Sequence, residues 1–370
     1  MFTTISLLNE TIVYFCVAKL AKQPLISAVL KKKILNILKY TAFTSLGVLM
    51  FWLVYRDQDF SQYWYRLKND VNYAWIVVAL FLGLLSHISR TLRWQIALEP
   101  LGEKPKTSNT FMTVMIAYFM NLVLPRMGEF VRCGLLSKYE KIPFAKLFGT
   151  VVTERIVDMI MLLILSMIMV ILNFNTVIDF GQQNPEVMLK IKSLYTSPIL
   201  WSGIMVLVAG AFLFFKFSKK VSNKNKIKEI FNGFIDGIKS IFAMKRYKAY
   251  IAHSVLIWVL YFLMLYVTFF CISATKDLGP LAALTTFVMA SFGMLAPSQG
   301  GIGAWHFMAA TTLGLFGVDF SDGKFFAFLS HTSTNLLIIV LGAICLIILP
   351  VLNRKYNPKS EIHIDKQTDN

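Results

Sequence analysis

Apolar runs close to the ~20 residues that cross a hydrocarbon core recur along this chain, at about 36–55, 72–94, 147–172, 198–217, 250–272 and 324–350. In lipid such runs must satisfy their own backbone hydrogen bonds, which leaves helices or closed barrels. The short alternating strands of a barrel are missing, so the sequence predicts an all-α polytopic membrane protein with about 6–8 transmembrane helices. Composition agrees: 56% of the 370 residues are hydrophobic and 15% are charged, more apolar surface than a soluble domain needs.

The net charge of +17 sits on Lys and Arg in the loops between runs. That is cytoplasmic-loop enrichment, and no nucleic-acid partner is expected. With 19–39, 90–107, 138–146, 216–248 and 354–370 placed inside, the inside loops hold roughly four times as many basic residues as the outside ones. The count leaves Arg126, Arg132 and Arg155 at membrane depth. Arg90 and Arg93 close the 72–94 run beside Trp94; they read as snorkelling anchors or as a lipid-phosphate contact. Residues 1–35 form an N-terminal extension with an extra or interfacial helix, and no cleaved signal peptide is expected. Residues 36–350 form the membrane domain and 351–370 a polar cytoplasmic tail. Within the domain, 218–248 reads as a basic amphipathic helix on an anionic lipid surface. Cys16, Cys133, Cys271 and Cys345 are scattered, with no C-x-x-C pair, so no disulfide framework, metal or other cofactor is expected.

The stretch 117–132 interrupts this pattern. An apolar run carrying Asn121 ends at Pro125, and Arg126, Gly128, Glu129 and Arg132 follow at once. Pro125 lacks a backbone donor and Gly128 permits unusual backbone angles, so a break is expected there. The segment 127–137 would rise only ~16 Å, about half the hydrocarbon thickness, which predicts a re-entrant hairpin. A second interrupted region carries Pro297, Gly300, Gly301 and Gly303, and both read P-x-x-G at the same offset. Loop charge makes the first hairpin open from inside and the second from outside, which suggests an inverted repeat with a site near its interface.

Arg126, Glu129, Arg132, Glu154, Arg155 and Asp158 are the ionisable residues placed at membrane depth. Glu129 is spaced to pair with Arg126 and Arg132, and Glu154 and Asp158 share a helix face. Two readings stay open. The charges form a neutral network that locks helices together, or arginines are shared with an anionic ligand that a guanidinium can fork. The second hairpin offers backbone N–H groups to an anion or close glycine packing. His306 beside Trp305 reads as hydrogen-bonded structure, as do His87, His253 and His331. Common catalytic motifs are missing, and no enzymatic activity is expected. For a transferase using lipid phosphate, the acidic candidates are Asp57/Asp59 and Asp319/Asp322.

The motifs Asn121-x-x-x-Pro125-Arg126, Gly128-Glu129-x-x-Arg132, Thr153-Glu154-Arg155-x-x-Asp158 and Pro297-x-x-Gly300-Gly301-Ile-Gly303 resemble the lysylphosphatidylglycerol synthase transmembrane family of flippase-like proteins. The resemblance covers about residues 36–350. It implies a multi-pass lipid translocator of the inner (cytoplasmic) membrane that handles a phospholipid or glycolipid, alone or as an oligomer. Asn121, Arg126, Glu129, Arg132, Glu154, Arg155 and Asp158 would hold the substrate. Pro125, Gly128, Pro297, Gly300, Gly301, Gly303 and His306 would form the gating hairpins. The alternative is a non-transporting lipid-binding accessory or scaffold for a membrane glycosyltransferase or envelope-assembly complex. Two departures stand out: His306 replaces a Glu common in the family, and no aminoacyl-transferase domain is present, so lysyl transfer is not expected.

Overall fold

The computed structural model describes residues 51–57, 60–124, 126–173, 244–296 and 298–354, together with Ser45, Val48 and Leu49. The expectations for 1–35, for most of the 36–55 run, for 198–217 and for 218–243 fall outside the described residues. So do those for Pro125, Pro297 and 355–370.

Described elements are all helical: α1 (Phe60–Asn69), α2 (Tyr73–Leu98), α3 (Thr107–Val123), α4 (Gly128–Glu140), α5 (Phe144–Leu172), α6 (Tyr247–Phe269), α7 (Pro280–Gly293), α8 (Ala304–Gly314) and α9 (Phe320–Leu352). Among them, α2, α5, α6 and α9 are long and apolar enough to cross a membrane. The chain is a multi-pass membrane protein. Its burial is inside-out for that reason: α5 exposes Met159, Leu163, Met167 and Ile171 while burying Glu154 and Thr153. Short side-chain caps start α2 and α9. The Asn72 oxygen accepts the Ala74 N–H at 3.1 Å, and Asp319 accepts that of Ser321 at 2.8 Å.

The arms α3/α4 and α7/α8 are too short to span and fold back as hairpins. α3 and α7 have 17 and 14 residues, rises of roughly 26 and 21 Å against a ~30 Å core. The order long helix, hairpin, long helix occurs twice, as α2–α3/α4–α5 and as α6–α7/α8–α9. The two copies run in opposite directions. At one end of the pair formed by α2 and α6, the Asn72 N–H donates to Cys271 O at 2.8 Å. At the other, Arg246 meets Glu99 at 3.0 Å, so α2 and α6 are antiparallel. The cross-packing repeats as well. The first arm of each hairpin packs on the closing helix of the other copy, α3 on α9 and α7 on α5. Asn109 meets Asn353 at 3.0 Å in the first pairing, and Asn173 meets Thr285 at 3.0 Å in the second. The hairpins therefore open towards opposite faces, as an inverted repeat requires.

Glycines set the closeness of this packing. A Cβ on Gly128 would sit 2.2 Å from Ala117 O, and one on Gly293 would sit 2.9 Å from Ala304 O. Each hairpin thus has one glycine where its arms cross. This corrects the expectation for Gly128, which takes no left-handed angles. Arg126 does so instead, at φ 61°, and the small size of Gly128 is what the fold uses. In the second hairpin the positive angles are on glycines: Gly300, Gly301 and Gly303 at φ 55°, 77° and 82°.

Candidate functional site

Helical periodicity turns Arg90 and Arg93 of α2, three apart, towards Glu154 and Asp158 of α5, four apart. Arg93 Nη1 donates to Asp158 Oδ1 at 2.8 Å, and Arg90 Nη1 to Asp158 Oδ2 at 3.2 Å. Glu154 lies between Arg93, at 3.9 Å, and Arg132 of α4, which donates a hydrogen bond to it. One helical turn N-terminal to Arg132, Glu129 faces Arg155 at 3.8 Å, and Arg155 reaches Asp158 at 3.4 Å. Seven charged side chains on three helices thus form one connected network.

Burial divides the network into a closed part and an open edge. The side chains of Arg93 and Glu154 are fully buried, and Arg90 and Arg132 are nearly so. Arg155 is 47% exposed and Glu129 24%. Aromatic faces surround the closed part: Arg132 lies over Trp94 at 4.4 Å, Arg90 near Tyr118 and Arg93 near Tyr250, both at 5.8 Å. The Tyr118 and Tyr261 hydroxyls meet at 3.1 Å. Glu154 lies ten residues into α5, roughly 15 Å from its start, within a helix long and apolar enough to cross a membrane. Each such charge costs roughly 2.5–3.5 kcal/mol on insertion scales unless it is paired.

Pairing is incomplete on the donor side. Arg90 Nε, Arg93 Nε and Nη2, Arg132 Nε and the Tyr250 hydroxyl are buried with no hydrogen-bond partner. Against these donors stands a single unpartnered carboxylate oxygen, Glu154 Oε1. A buried, donor-rich, cationic centre with one open edge has the chemistry of an oxyanion site. Among the described residues, no group of three or more His, Cys, Asp or Glu is placed to hold a metal.

Several sequence expectations change here. Arg90 and Arg93 are neither anchors nor loop residues, because α2 continues to Leu98 and buries both. Trp94 is fully buried and donates to Thr150 Oγ1 at 2.9 Å, so it is core rather than interfacial. Glu129 pairs with Arg155 instead of its own-helix neighbours. The signal for the missed arginines was the match between their spacing and that of Glu154 and Asp158. Asn121 closes the first hairpin, its Oδ1 accepting the Gly128 N–H at 2.7 Å. Arg126 leaves the network and donates to Leu295 O at 3.3 Å, joining one hairpin tip to the other. Leu122 packs at Gly300 on the same seam, where a Cβ would lie 2.4 Å from its Cδ2.

The second tip is held by histidines. His306 Nδ1 accepts the Gly303 N–H at 3.1 Å, which engages one of the backbone donors expected to be bare. Asn335 Nδ2 lies 3.0 Å from His331 Nδ1, so Nδ1 accepts and Nε2–H donates to Gly300 O at 2.8 Å. The acidic pairs weighed for a transferase are committed elsewhere: Asp319 caps α9, Asp322 pairs with Arg66 at 2.8 Å and Asp57 with Arg56 at 3.5 Å. Asp59 lies outside the described residues.

A family model described as "Lysylphosphatidylglycerol synthase TM region" matches residues 36–342. A 96-residue stretch is 32% identical to a protein of Methanocaldococcus jannaschii described as "UPF0104 membrane protein MJ1595". That match covers 25% of this chain and 29% of the relative. No solved structure matches the chain.

Proposed function

The chain belongs to the lysylphosphatidylglycerol synthase transmembrane-region family, matched over residues 36–342, and from that premise we propose that it is a lipid transporter of the cell's inner membrane. In this reading it moves a phosphate-bearing phospholipid or glycolipid between leaflets. The observation that carries the proposal is the buried network of Arg90, Arg93, Arg132 and Arg155 with its unpartnered N–H groups. A structural ion-pair lock alone has no use for those donors, and each unmet one is a cost. A lipid phosphate entering at the Arg155 edge would accept them, while its acyl chains stay in the bilayer against the apolar face of α5.

The hairpin tips supply the gate. They touch through Arg126 with Leu295 O and through Leu122 with Gly300, so separating them opens a path beside the network without unfolding either long helix. Arg126 acts here as the latch between hairpins, and the other arginines receive the headgroup.

Purified protein reconstituted alone into lipid vesicles is expected to move a labelled phospholipid across the bilayer faster than protein-free vesicles do. Movement that appears only when other membrane proteins are added would overturn transport and leave an accessory that binds lipid for a partner enzyme.

A further inference from the structure

We propose that His306 is a proton-operated catch on the second hairpin tip: its neutral ring holds the Gly303 turn in place, and protonation releases it. The inference rests on the gating role given to the tips above and adds the signal that works the gate. The second tip is a turn of left-handed glycines, Gly300, Gly301 and Gly303, and two imidazoles fasten it. His306 Nδ1 accepts the Gly303 N–H at 3.1 Å. His331 Nε2 donates to Gly300 O at 2.8 Å. Gly300 in turn packs on Leu122 of the first tip, so these two bonds hold the turn that makes the seam between the hairpins.

The two rings answer a proton differently. An imidazolium is a donor at both nitrogens. On His306 the added proton would sit on Nδ1 and face the Gly303 N–H, donor against donor. On His331 it would face Asn335, 3.0 Å from Nδ1, whose amide can turn to offer its oxygen. A proton thus breaks the His306 bond and spares the His331 bond. The surroundings do not offset the charge. Both rings are buried, and their centroids are 4.5 Å apart. Tyr55, Phe51 and Trp305 edge His306 at 5.5, 5.6 and 5.9 Å. On the adjoining elements, Tyr63 of α1 meets Tyr55, and Asp322 of α9 is taken by Arg66 at 2.8 Å. Lys324, whose carbonyl accepts the Tyr55 hydroxyl at 3.0 Å, and Arg126 on the Leu295 carbonyl are cations. Among the described residues, then, no free carboxylate faces the ring. The proton is taken up as Nδ1 lets go of Gly303, and by linkage a lower pH favours the released turn. A released ring titrating near the ordinary value of about 6.5 raises the released-to-closed ratio roughly thirtyfold between pH 8 and pH 5.

Hydrogen–deuterium exchange tests the catch in full-length protein held in lipid nanodiscs at pH 8 and pH 5, with rates corrected for the direct effect of pH on exchange. Protection of the Gly303 amide is expected to fall roughly thirtyfold at pH 5. The Gly128 amide, held by the Asn121 side chain at 2.7 Å, should keep its protection. His306→Gln retains an acceptor for the Gly303 N–H but takes no proton, so its protection should be equal at the two pH values. Unchanged Gly303 protection in the unmodified protein overturns the catch without any variant. An equal loss at Gly128 also overturns it, because that marks general loosening by acid. So does an equal loss in a His306→Gln protein that melts like the unmodified one. None of these results touches the vesicle assay at pH 8. Protein that shows the release but moves no lipid at either pH overturns the transport reading and leaves the catch standing.

Discussion

Replacing Glu154 with alanine is expected to abolish folded protein in detergent extracts, the largest effect expected of a single substitution among the described residues. The carboxylate is fully buried and holds Arg132 by a hydrogen bond and Arg93 at 3.9 Å. Its removal leaves two guanidiniums at membrane depth, one of them with no other carboxylate in reach. Breaking a buried pair in this way costs about 3–5 kcal/mol. Total stabilities are about 5–15 kcal/mol, so much of the margin disappears. A thermal melt followed by size-exclusion chromatography should show a loss of monodisperse protein. The double variant Arg132→Met with Glu154→Leu removes both charges and refills the volume with apolar atoms, a change that is often neutral or stabilising. It should restore the melting curve, since Arg93 keeps Asp158 at 2.8 Å. A double variant as unstable as the single one would show that packing at Glu154, rather than charge, sets the penalty.

Gly128→Ala should be the second most damaging change. The new methyl carbon would lie 2.2 Å from Ala117 O and 2.8 Å from Asn121 Cγ, and the first contact is backbone that cannot rotate aside. Relief requires α4 to move off α3, which lengthens the 2.7 Å hydrogen bond from the Gly128 N–H to Asn121 and shifts Glu129 and Arg132 away from α5. Overpacking of a tight interior costs about 1–3 kcal/mol before such a loss is added. The comparison is Gly134→Ala in the same helix, where nothing lies within 4 Å of the added carbon. There the substitution should stabilise by about 0.5–1 kcal/mol through helix propensity. Melting temperatures that shift in opposite directions for the two variants fit this account; equal shifts do not.

The architecture was legible in the sequence where a single physical rule governed it. Apolar length alone marks α2, α5, α6 and α9, and loop charge alone gives the hairpins their opposite directions. The interior of the site was less legible, because it depends on which helices face one another. Arg90 and Arg93 near the end of an apolar run look like snorkelling residues until α5 is packed against them, more than 60 residues away in the chain. Glu129 could pair within its own helix by spacing, and only the position of α5 sends it to Arg155. Gly128 follows the same logic, since its closeness to Ala117 is a property of the folded hairpin and not of the local dihedral angles. The i,i+4 spacing of Glu154 and Asp158 did mark a shared helix face, and both carboxylates of that face meet Arg93 in the fold.

Arg155→Ala tests the claim that the network receives a lipid phosphate. The residue is 47% exposed and its ion pairs are long, at 3.4 and 3.8 Å, so its removal should change stability by no more than about 1 kcal/mol. The measurement is the rate at which reconstituted Arg155→Ala protein moves labelled phosphatidylglycerol between leaflets, relative to the unmodified protein at equal density in the vesicles. A fall of roughly tenfold or more, equivalent to about 1.4 kcal/mol, with an unchanged melting temperature is the predicted result. Transport at the unmodified rate by the folded variant would contradict it.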